Sequence, residues 1–498
     1  MLFRIFSLIL TGLFFVFTPL VNSAQETLTL EKALDLTMTR QVQILQSDLS
    51  REIAEGRLVS AGAAFDTQFR ASADYLNTNN PLTSSQEKAT GFSTADSARQ
   101  DYRLELSKTL RSGLNLNSYL TLGRQKDKTY ALPDTNSRSL GLTLSMPYYD
   151  LVGNNSFSLR EEAAREMLRA ALFNHYHQVA ISLYRTTLAW WDFLAAKQIV
   201  WIYKLAVEKT EKSFHDYRKL IAAGERPQSD INQIEAKHVS MQTQYSAAFK
   251  NFEATGYQLT RVIGIPYERR RLGAFENGSG KFSFQSKTVD IEPLLQRLFE
   301  RRFDLLAAQS LVKSETLQLD AAQRDEKSDL DLYVTVEGSQ QAADLWSKNN
   351  SDNSGSKILA GVHFSKLFEN SLAKGVLIEQ HSRLRQAEIR LEELKRTLEI
   401  DLLAAGDDLK RSIDTEKFAE KTVKLYKHAL KVEKKKLSMG VSTILDVIAT
   451  FDSLRNALLT QVSSRAELAR ALTTLKYAAG KMVNIENGKI VVNLENNE

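Results

Sequence analysis

The spacing of apolar residues along this chain changes period several times, and each change predicts a new element. From 28 to about 65, Leu30, Leu34, Ile44, Leu45, Leu49, Ile53 and Leu58 recur at threes and fours, which predicts helix. The period then becomes two. Phe69, Ala71, Ala73 and Tyr75 alternate with Gln68, Arg70, Ser72 and Asp74. Three more alternating runs carry Tyr102, Leu104 and Leu106, then Leu114, Leu116, Leu120 and Leu122, then Leu140, Leu142, Leu144, Met146 and Tyr148 on one face. Polar loops are expected at 77–100 and 124–137, and the short link Arg111-Ser112-Gly113 joins the second run to the third.

These runs predict four strands of about ten residues, each apolar on one face, with links that go long, short, long. That is the layout of an outer-membrane β-barrel with long outer loops and short periplasmic turns. A soluble sandwich would need a second sheet over the apolar faces, and the helices around these runs do not resemble such a cover.

Pro147 ends the strands, and from about 155 to 222 there is no proline and almost no glycine. The pattern predicts one helix of about 67 residues, or ~100 Å at the usual rise. Gly224 and Pro227 mark a turn. In the next helix, positions 231, 234, 238, 241, 245, 248, 252, 255, 259 and 262 step by three and four, a coiled-coil seam closed by Pro266. A mixed linker follows, with a short strand expected at 281–284. The cycle then restarts. Leu330, Leu332, Val334 and Val336 alternate, a polar loop covers 340–356, another strand is expected at 357–364, and a helical run at 369–439 reaches Gly440 and returns to Gly480. The polar tail carries a short strand expected at 489–494.

Adding 216 carries Gly224 to Gly440, Asp230 to Asp446, Leu259 to Leu475 and Gly264 to Gly480, and adding 261 carries Leu45 to Leu306 and Leu58 to Leu319. The chain is therefore read as two copies of one unit. Six strands are too few for a membrane barrel, since known barrels start at about eight. Three chains would supply about eighteen, or about twelve without the hairpin at 102–123.

Composition sharpens this picture. The chain has 498 residues, no cysteine and a formal net charge of +5, which is mild for the length and does not argue for nucleic acid. The missing cysteine removes disulfides, thiolate metal sites and cysteine nucleophiles. Arg4, the apolar run at 5–17 and Val21-Asn22-Ser23-Ala24 predict a secretory signal peptide cleaved after Ser23 or Ala24. No later run is apolar enough for a transmembrane helix, so any insertion must use strands.

With these elements in order, the chain resembles the TolC-like outer membrane efflux proteins over essentially its whole mature length. The resemblance rests on the signal peptide, the opening at 28–44 (LTLEKALDLTMTRQVQI), its echo RRFDLL at 301–306, and the two segments GERPQSD (224–230) and GVSTILD (440–446). It implies a mainly α fold with a membrane β-barrel portion: a long coiled-coil α-barrel joined to an outer-membrane β-barrel, with two internal repeats, completed by trimerisation. The implied layout is a signal peptide at 1–24, a first periplasmic helix at 25–67, barrel strands at 68–148, coiled-coil helices at 149–264 and a linker at 265–290. The second copy follows with a helix at 291–327, strands at 328–366, coiled-coil helices at 367–481 and a tail at 482–498.

The implied function is an export duct of a tripartite efflux or type I secretion system, in the outer membrane with its helical tube in the periplasm. Implied partners are two further copies of the chain, a periplasmic adaptor, an inner-membrane transporter and outer-membrane lipid. Asp446 matches the family position that places a carboxylate ring at the channel constriction, and Asp230 is its repeat partner. The turns Gly224, Glu225, Arg226, Gly440, Val441 and Ser442 are the implied adaptor-contacting tips. Two departures stand out: Ala449 replaces a second acid, and Ser442 stands where a gate-linking arginine can occur. A double carboxylate ring and an arginine network are therefore not carried over.

Simpler readings compete at each position. Both aspartates suit a helix cap or a first-turn dipole pairing. His175 and His177 sit two apart on a helix and do not share a face, which argues against a metal site. His238 on the seam reads as a satisfied packing residue, Trp190, Trp191 and Trp201 as core or interface, and the lysines of 431–437 as a solvated helix face. No P-loop, nucleophile elbow or zinc spacing is present, so no enzyme, cofactor or metal is expected. The alternative to a duct is a non-conducting periplasmic or surface coiled-coil structural protein.

Overall fold

The computed structural model describes residues 28–127, 134–151, 155–224, 228, 231–266, 282, 290–342, 354–486 and 489–492. The expected signal peptide, the tip residues Glu225, Arg226 and Asp230, and most of the strand expected at 281–284 lie outside these residues. Helices α1 (Leu30–Arg40) and α2 (Val42–Gly62) lead into strand β1 (Gln68–Pro81). Then come α3 (Ser84–Thr90), β2 (Thr94–Thr109), β3 (Asn115–Asp127), β4 (Thr135–Pro147) and the short α4 (Tyr148–Leu151). The long α5 (Ser156–Ala222) and α6 (Ile231–Ile263) precede α7 (Glu292–Arg301), α8 (Phe303–Asp325), β5 (Asp329–Ala342) and β6 (Ser354–Ser365). Last are α9 (Ser371–Ser438), α10 (Ile444–Ala478), β7 (Val483–Glu486) and β8 (Lys489–Val492). No helix among the described residues is long and apolar enough to cross a membrane.

The chain divides into two compact units. One draws on the described parts of 1–37, 186–284 and 419–466, the other on 38–185, 285–418 and 467–498.

The second unit holds the strands. Six of them form one antiparallel sheet in sequence order, β1 to β6, and β7 pairs with β8 in a separate two-stranded sheet. The predicted alternation sets the register: Leu104 faces Leu120, which faces Leu140, and Leu142 faces Val336, which faces Ile358. The short link between β2 and β3 is a tight turn. Leu110 N–H donates to the Leu114 carbonyl at 2.8 Å, and Gly113 takes φ +87°, a conformation that costs a non-glycine residue.

The strands run further than the alternation predicted. β1 continues to Pro81 and β2 starts at Thr94, so much of the segment expected as a loop is ladder, and its tip holds α3. β3 and β4 extend to Asp127 and from Thr135, and β5 and β6 to Ala342 and from Ser354. Alternating hydrophobicity reports an apolar surface on one face, whereas pairing needs only backbone groups, so polar residues such as Thr78 and Ser97 pair equally well.

The single helix expected from 28 to 65 is also broken. Gln41 has extended backbone (φ −67°, ψ 121°), and its side-chain Oε1 accepts from Val42 N–H at 2.8 Å. Arg302, 261 positions later, breaks α7 from α8 with the same kind of backbone (φ −85°, ψ 110°). Neither break has a glycine or proline to announce it.

The first unit is helical. In α6 the buried residues are Ile234, Met241, Ala248, Phe252, Gly256, Leu259, Thr260 and Ile263. The predicted seam positions 234, 241, 248, 252 and 259 are buried, while towards the end of the helix Gly256 is buried instead of Thr255 and Ile263 instead of Val262. A straight α-helix drifts ~20° per heptad against a 3.5-residue repeat, which moves the buried line by about one position over this length. Phe252, Leu259 and Ile263 join Leu28, Ala33, Trp190 and Phe193 in one core, with Trp191 against its edge.

Candidate functional site

The turn between α9 and α10 carries four of the predicted site residues: Gly440, Val441, Ser442 and Asp446. α9 ends in a Schellman motif: Gly440 N–H donates to the Leu437 carbonyl and Val441 N–H to the Lys436 carbonyl, both at 3.0 Å. This needs left-handed backbone at Gly440, where φ is +76°. Gly224, at the end of α5, takes φ +75° and donates to the Ile221 carbonyl at 2.9 Å. Among the described residues, neither glycine has a neighbour within 4 Å of where a Cβ would stand. Met439 (59% exposed) and Val441 (75% exposed) present apolar side chains to water at the turn.

Asp446 is the third residue of α10, and Thr443 is its cap. Thr443 Oγ1 donates to Asp446 Oδ2 at 2.6 Å and Thr443 N–H to the same oxygen at 2.9 Å, while Asp446 N–H donates back to Thr443 Oγ1 at 3.2 Å. This is a reciprocal capping box with aspartate as the returning acid. The hydrogen bonds from Thr443 hold the Asp446 carboxyl below the usual carboxylate range. Ser442 Oγ donates to Glu433 on α9, and Lys436 Nζ lies 3.2 Å from the same carboxylate. Ser442 thus ties the turn to the helix before it.

The capping reading is therefore satisfied at Asp446, and one carboxylate oxygen serves the cap. Asp446 is nevertheless exposed, so the group still presents negative charge to solvent. Sequence reasoning missed Thr443 and Glu433. The Thr443-x-x-Asp446 spacing could have signalled the first, since it is a helix-start pattern. Nothing local signals the second, because Glu433 is brought in by the turn.

Further along α10, Asp452 and Arg455 join α6. Asp452 pairs with Lys237, and Arg455 Nη1 lies 2.8 Å from Asp452 Oδ1 and 2.7 Å from Met241 Sδ. Arg455 and Met241 are both buried. On the same face of α6, His238 Nδ1 sits 3.2 Å from Thr210 Oγ1 on α5, so this histidine is a satisfied packing residue. His175 Nδ1 is 2.9 Å from Ser47 Oγ, and among the described residues no group of His, Asp or Glu could hold a metal ion.

A second glycine turn closes α10 in the other unit. Gly480 (φ +68°) and Lys481 repeat the Schellman bonds, to the Tyr477 and Lys476 carbonyls. Here Arg302 adds a second donor, its Nη1 reaching the Tyr477 carbonyl at 3.0 Å. Arg302 also grips Asp304 through two hydrogen bonds of 3.0 and 2.6 Å and lies 4.8 Å over the Tyr477 ring. Burial raises the Asp304 carboxyl, but the Arg302 pairing outweighs it and the net direction is down. His177, 3.9 Å from Asp304, is held below the usual imidazole range, chiefly by burial. The RRFDLL segment thus has a structural role at this junction.

No family model matches the chain, and no curated protein matches it. Solved structures do. The fold is that of the TolC-like outer membrane channels. The CmeC outer membrane channel of Campylobacter jejuni is similar over 91% of this chain and 85% of its own, with a TM-score of 0.64 and 15% identity. The outer membrane protein VceC of Vibrio cholerae covers 91% of this chain and 96% of its own (TM-score 0.62, 15% identity). The MtrE channel of Neisseria gonorrhoeae, in its open state, covers 91% and 88% (TM-score 0.63, 16% identity).

Proposed function

We propose that this chain is the outer-membrane export duct of a multi-component efflux or secretion machine. The observation that carries this reading is the six-stranded sheet with one exposed apolar face. Phe69, Leu106, Leu142, Val336 and Ile358 lie along one line across it, all exposed, interrupted only by Ser118. Leaving such side chains in water forgoes roughly 1.5–3 kcal/mol each, so the face needs a cover. Lipid supplies it, but open strand edges in lipid cost several kcal/mol per unpaired backbone group. The edges must then be closed. Three copies give a barrel of about eighteen strands.

In this reading the helices form a periplasmic tube. The turns at Gly224, Glu225, Arg226, Gly440, Val441 and Ser442 contact a periplasmic adaptor, for which exposed Met439 and Val441 offer apolar anchors. Asp446, with Asp230, forms the carboxylate constriction that favours cations. An inner-membrane transporter supplies the energy, and the duct conducts passively. The open state described for MtrE motivates a gate in this chain too.

The test is the mass of the detergent-extracted protein together with single-channel conductance in a planar bilayer. A trimer with discrete openings that change in Asp446→Asn supports the duct and the constriction. A conducting trimer indifferent to that change keeps the duct and discards the constriction. A water-soluble, non-conducting monomer sinks both.

A further inference from the structure

The polar face of the sheet contains a repeated tyrosine-over-glycine arrangement, complete once and incomplete once. Tyr119 on β3 lies flat over Gly141 on β4. A Cβ at Gly141 would overlap the Tyr119 ring. Crossing that strand lets Tyr119 Oη donate to Glu337 Oε2 on β5 at 2.6 Å. The three residues share one rung, since Tyr119 faces Gly141 and Gly141 faces Glu337. On β5, Tyr333 lies over Gly361 of β6 in the same pose, with its Oη 2.5 Å from where a Gly361 Cβ would stand. But β6 is the edge of the sheet. The Tyr333 hydroxyl is carried past the last strand and has no hydrogen-bond partner among the described residues.

We propose that Tyr333 completes this contact on a second copy of the chain, donating its hydroxyl to Asp74 on strand β1 of the partner subunit. The proposal rests on the assembly described under Proposed function and adds its register.

Three observations select that register independently. First, β1 is the other edge of the sheet, and Asp74 is the one acid on its polar face, a counterpart to Glu337 on β5. Placing the partner subunit's Asp74 opposite Gly361 reproduces the Tyr119–Gly141–Glu337 rung. Second, each edge strand carries one leucine on the polar face, Leu76 on β1 and Leu359 on β6, and both are exposed. The same register sets Leu359 directly against the partner's Leu76, so each covers the other. Third, it pairs Ser354, the first residue of β6, with the partner's Pro81, the last of β1, so all of β6 is covered. On the apolar face it sets Val362 against the partner's Ala73 and Ala360 against the partner's Tyr75, large against small. A shift by two residues in either direction puts Leu359 against the partner's Asp74 or Thr78 and loses these matches.

The chain has no cysteine, which makes the test clean. Within one sheet β1 and β6 stand five strand spacings apart, about 24 Å, so no disulfide can join them in the same chain. Leu359→Cys is combined in turn with Leu76→Cys, Asp74→Cys and Thr78→Cys, and membranes are oxidised and run on a non-reducing denaturing gel. The Leu76 pairing is expected to give covalent dimers and trimers fastest. Separately, Tyr333→Phe and Asp74→Asn are expected to lower the dissociation temperature of the detergent-solubilised oligomer, with the double variant no lower than the worse single. Tyr119→Phe, whose hydrogen bond stays within one chain, serves as the comparison and should affect dissociation less. A covalent oligomer formed fastest by a displaced pair, or additive effects of Tyr333→Phe and Asp74→Asn, overturns the contact while leaving the assembly standing. No covalent oligomer from any pair, with a monomer in detergent, overturns the assembly and the contact with it.

Discussion

Two turns in this chain are nearly identical as backbone and opposite in surroundings. Gly440 and Gly480 each end a helix in a Schellman motif with φ near +70°, at +76° and +68°. A Cβ at Gly440 would meet nothing within 4 Å, whereas at Gly480 it would stand 2.9 Å from the Arg301 carbonyl oxygen. The turn at Gly440 satisfies its polar groups with its own side chains, Thr443, Asp446, Ser442 and Glu433. At Gly480 a second donor to the Tyr477 carbonyl comes from Arg302, which arrives from a distant part of the chain and is buried. The same local code therefore serves an exposed turn and a junction sealed from within. What separates them is the side chain that comes from elsewhere, which the local sequence does not contain.

The largest expected effect is at Arg302. Arg302→Ala would strand Asp304 in a buried site and remove one of the two donors to the Tyr477 carbonyl, at a cost of about 3–5 kcal/mol. This is expected as a large fall in the helical melting temperature in detergent, and a small fall would mean that the junction is not sealed by this side chain. Next come the glycines. Both Gly480→Ala and Gly440→Ala incur left-handed strain of about 1–2 kcal/mol. Only Gly480→Ala adds a backbone overlap, so its melting temperature should fall further, and equal falls would erase the distinction.

A smaller effect is expected from Thr443→Ala. Losing the cap costs about 1 kcal/mol, confined to the start of α10. Amide exchange there should quicken while global melting stays the same.

The smallest effects are in pH. His177 is depressed in the fold by burial and by Arg302, against the pull of Asp304, so the folded state binds fewer protons than the unfolded one as pH falls. Junction stability is therefore full above the ordinary imidazole range and declines as pH falls through it. The Asp446 carboxyl is also depressed, so the cap keeps its strength through that window and weakens only as pH falls through the carboxylate range. Exchange at the start of α10 that rises already with imidazole titration would contradict this separation.

Much of the fold was legible because periods of two and of three-to-four report which face is apolar. Strands β1 to β6, the long helices and the glycine turns follow from that signal and from where glycine and proline stand. The breaks at Gln41 and Arg302 were not legible, since each depends on a side chain holding an extended residue in place within an otherwise helical pattern. The strand extensions were hidden because backbone pairing leaves no mark on polar sequence. At the site, Thr443 and Asp446 could be read from spacing. Glu433 and the Asp452–Arg455 pairing to α6 required the helices to be laid side by side.

The sheet has one further consequence, in how the chain reaches its folded state. β1 to β4 pair with near neighbours in sequence and can form as hairpins soon after they are made. β4 waits for β5, and the pair Leu142 and Val336 lies 194 positions apart. Closing so long a loop is slow compared with zipping a hairpin. Until α5, α6, α7 and α8 are in place, four strands stand with an apolar face and the unpaired edge of β4 exposed, a template for pairing with the wrong chain. The slow step of folding, and the period of greatest aggregation risk, should therefore coincide with the joining of β4 to β5. A truncated chain ending before Asp329 should accumulate as insoluble material, even though every hairpin it contains is complete.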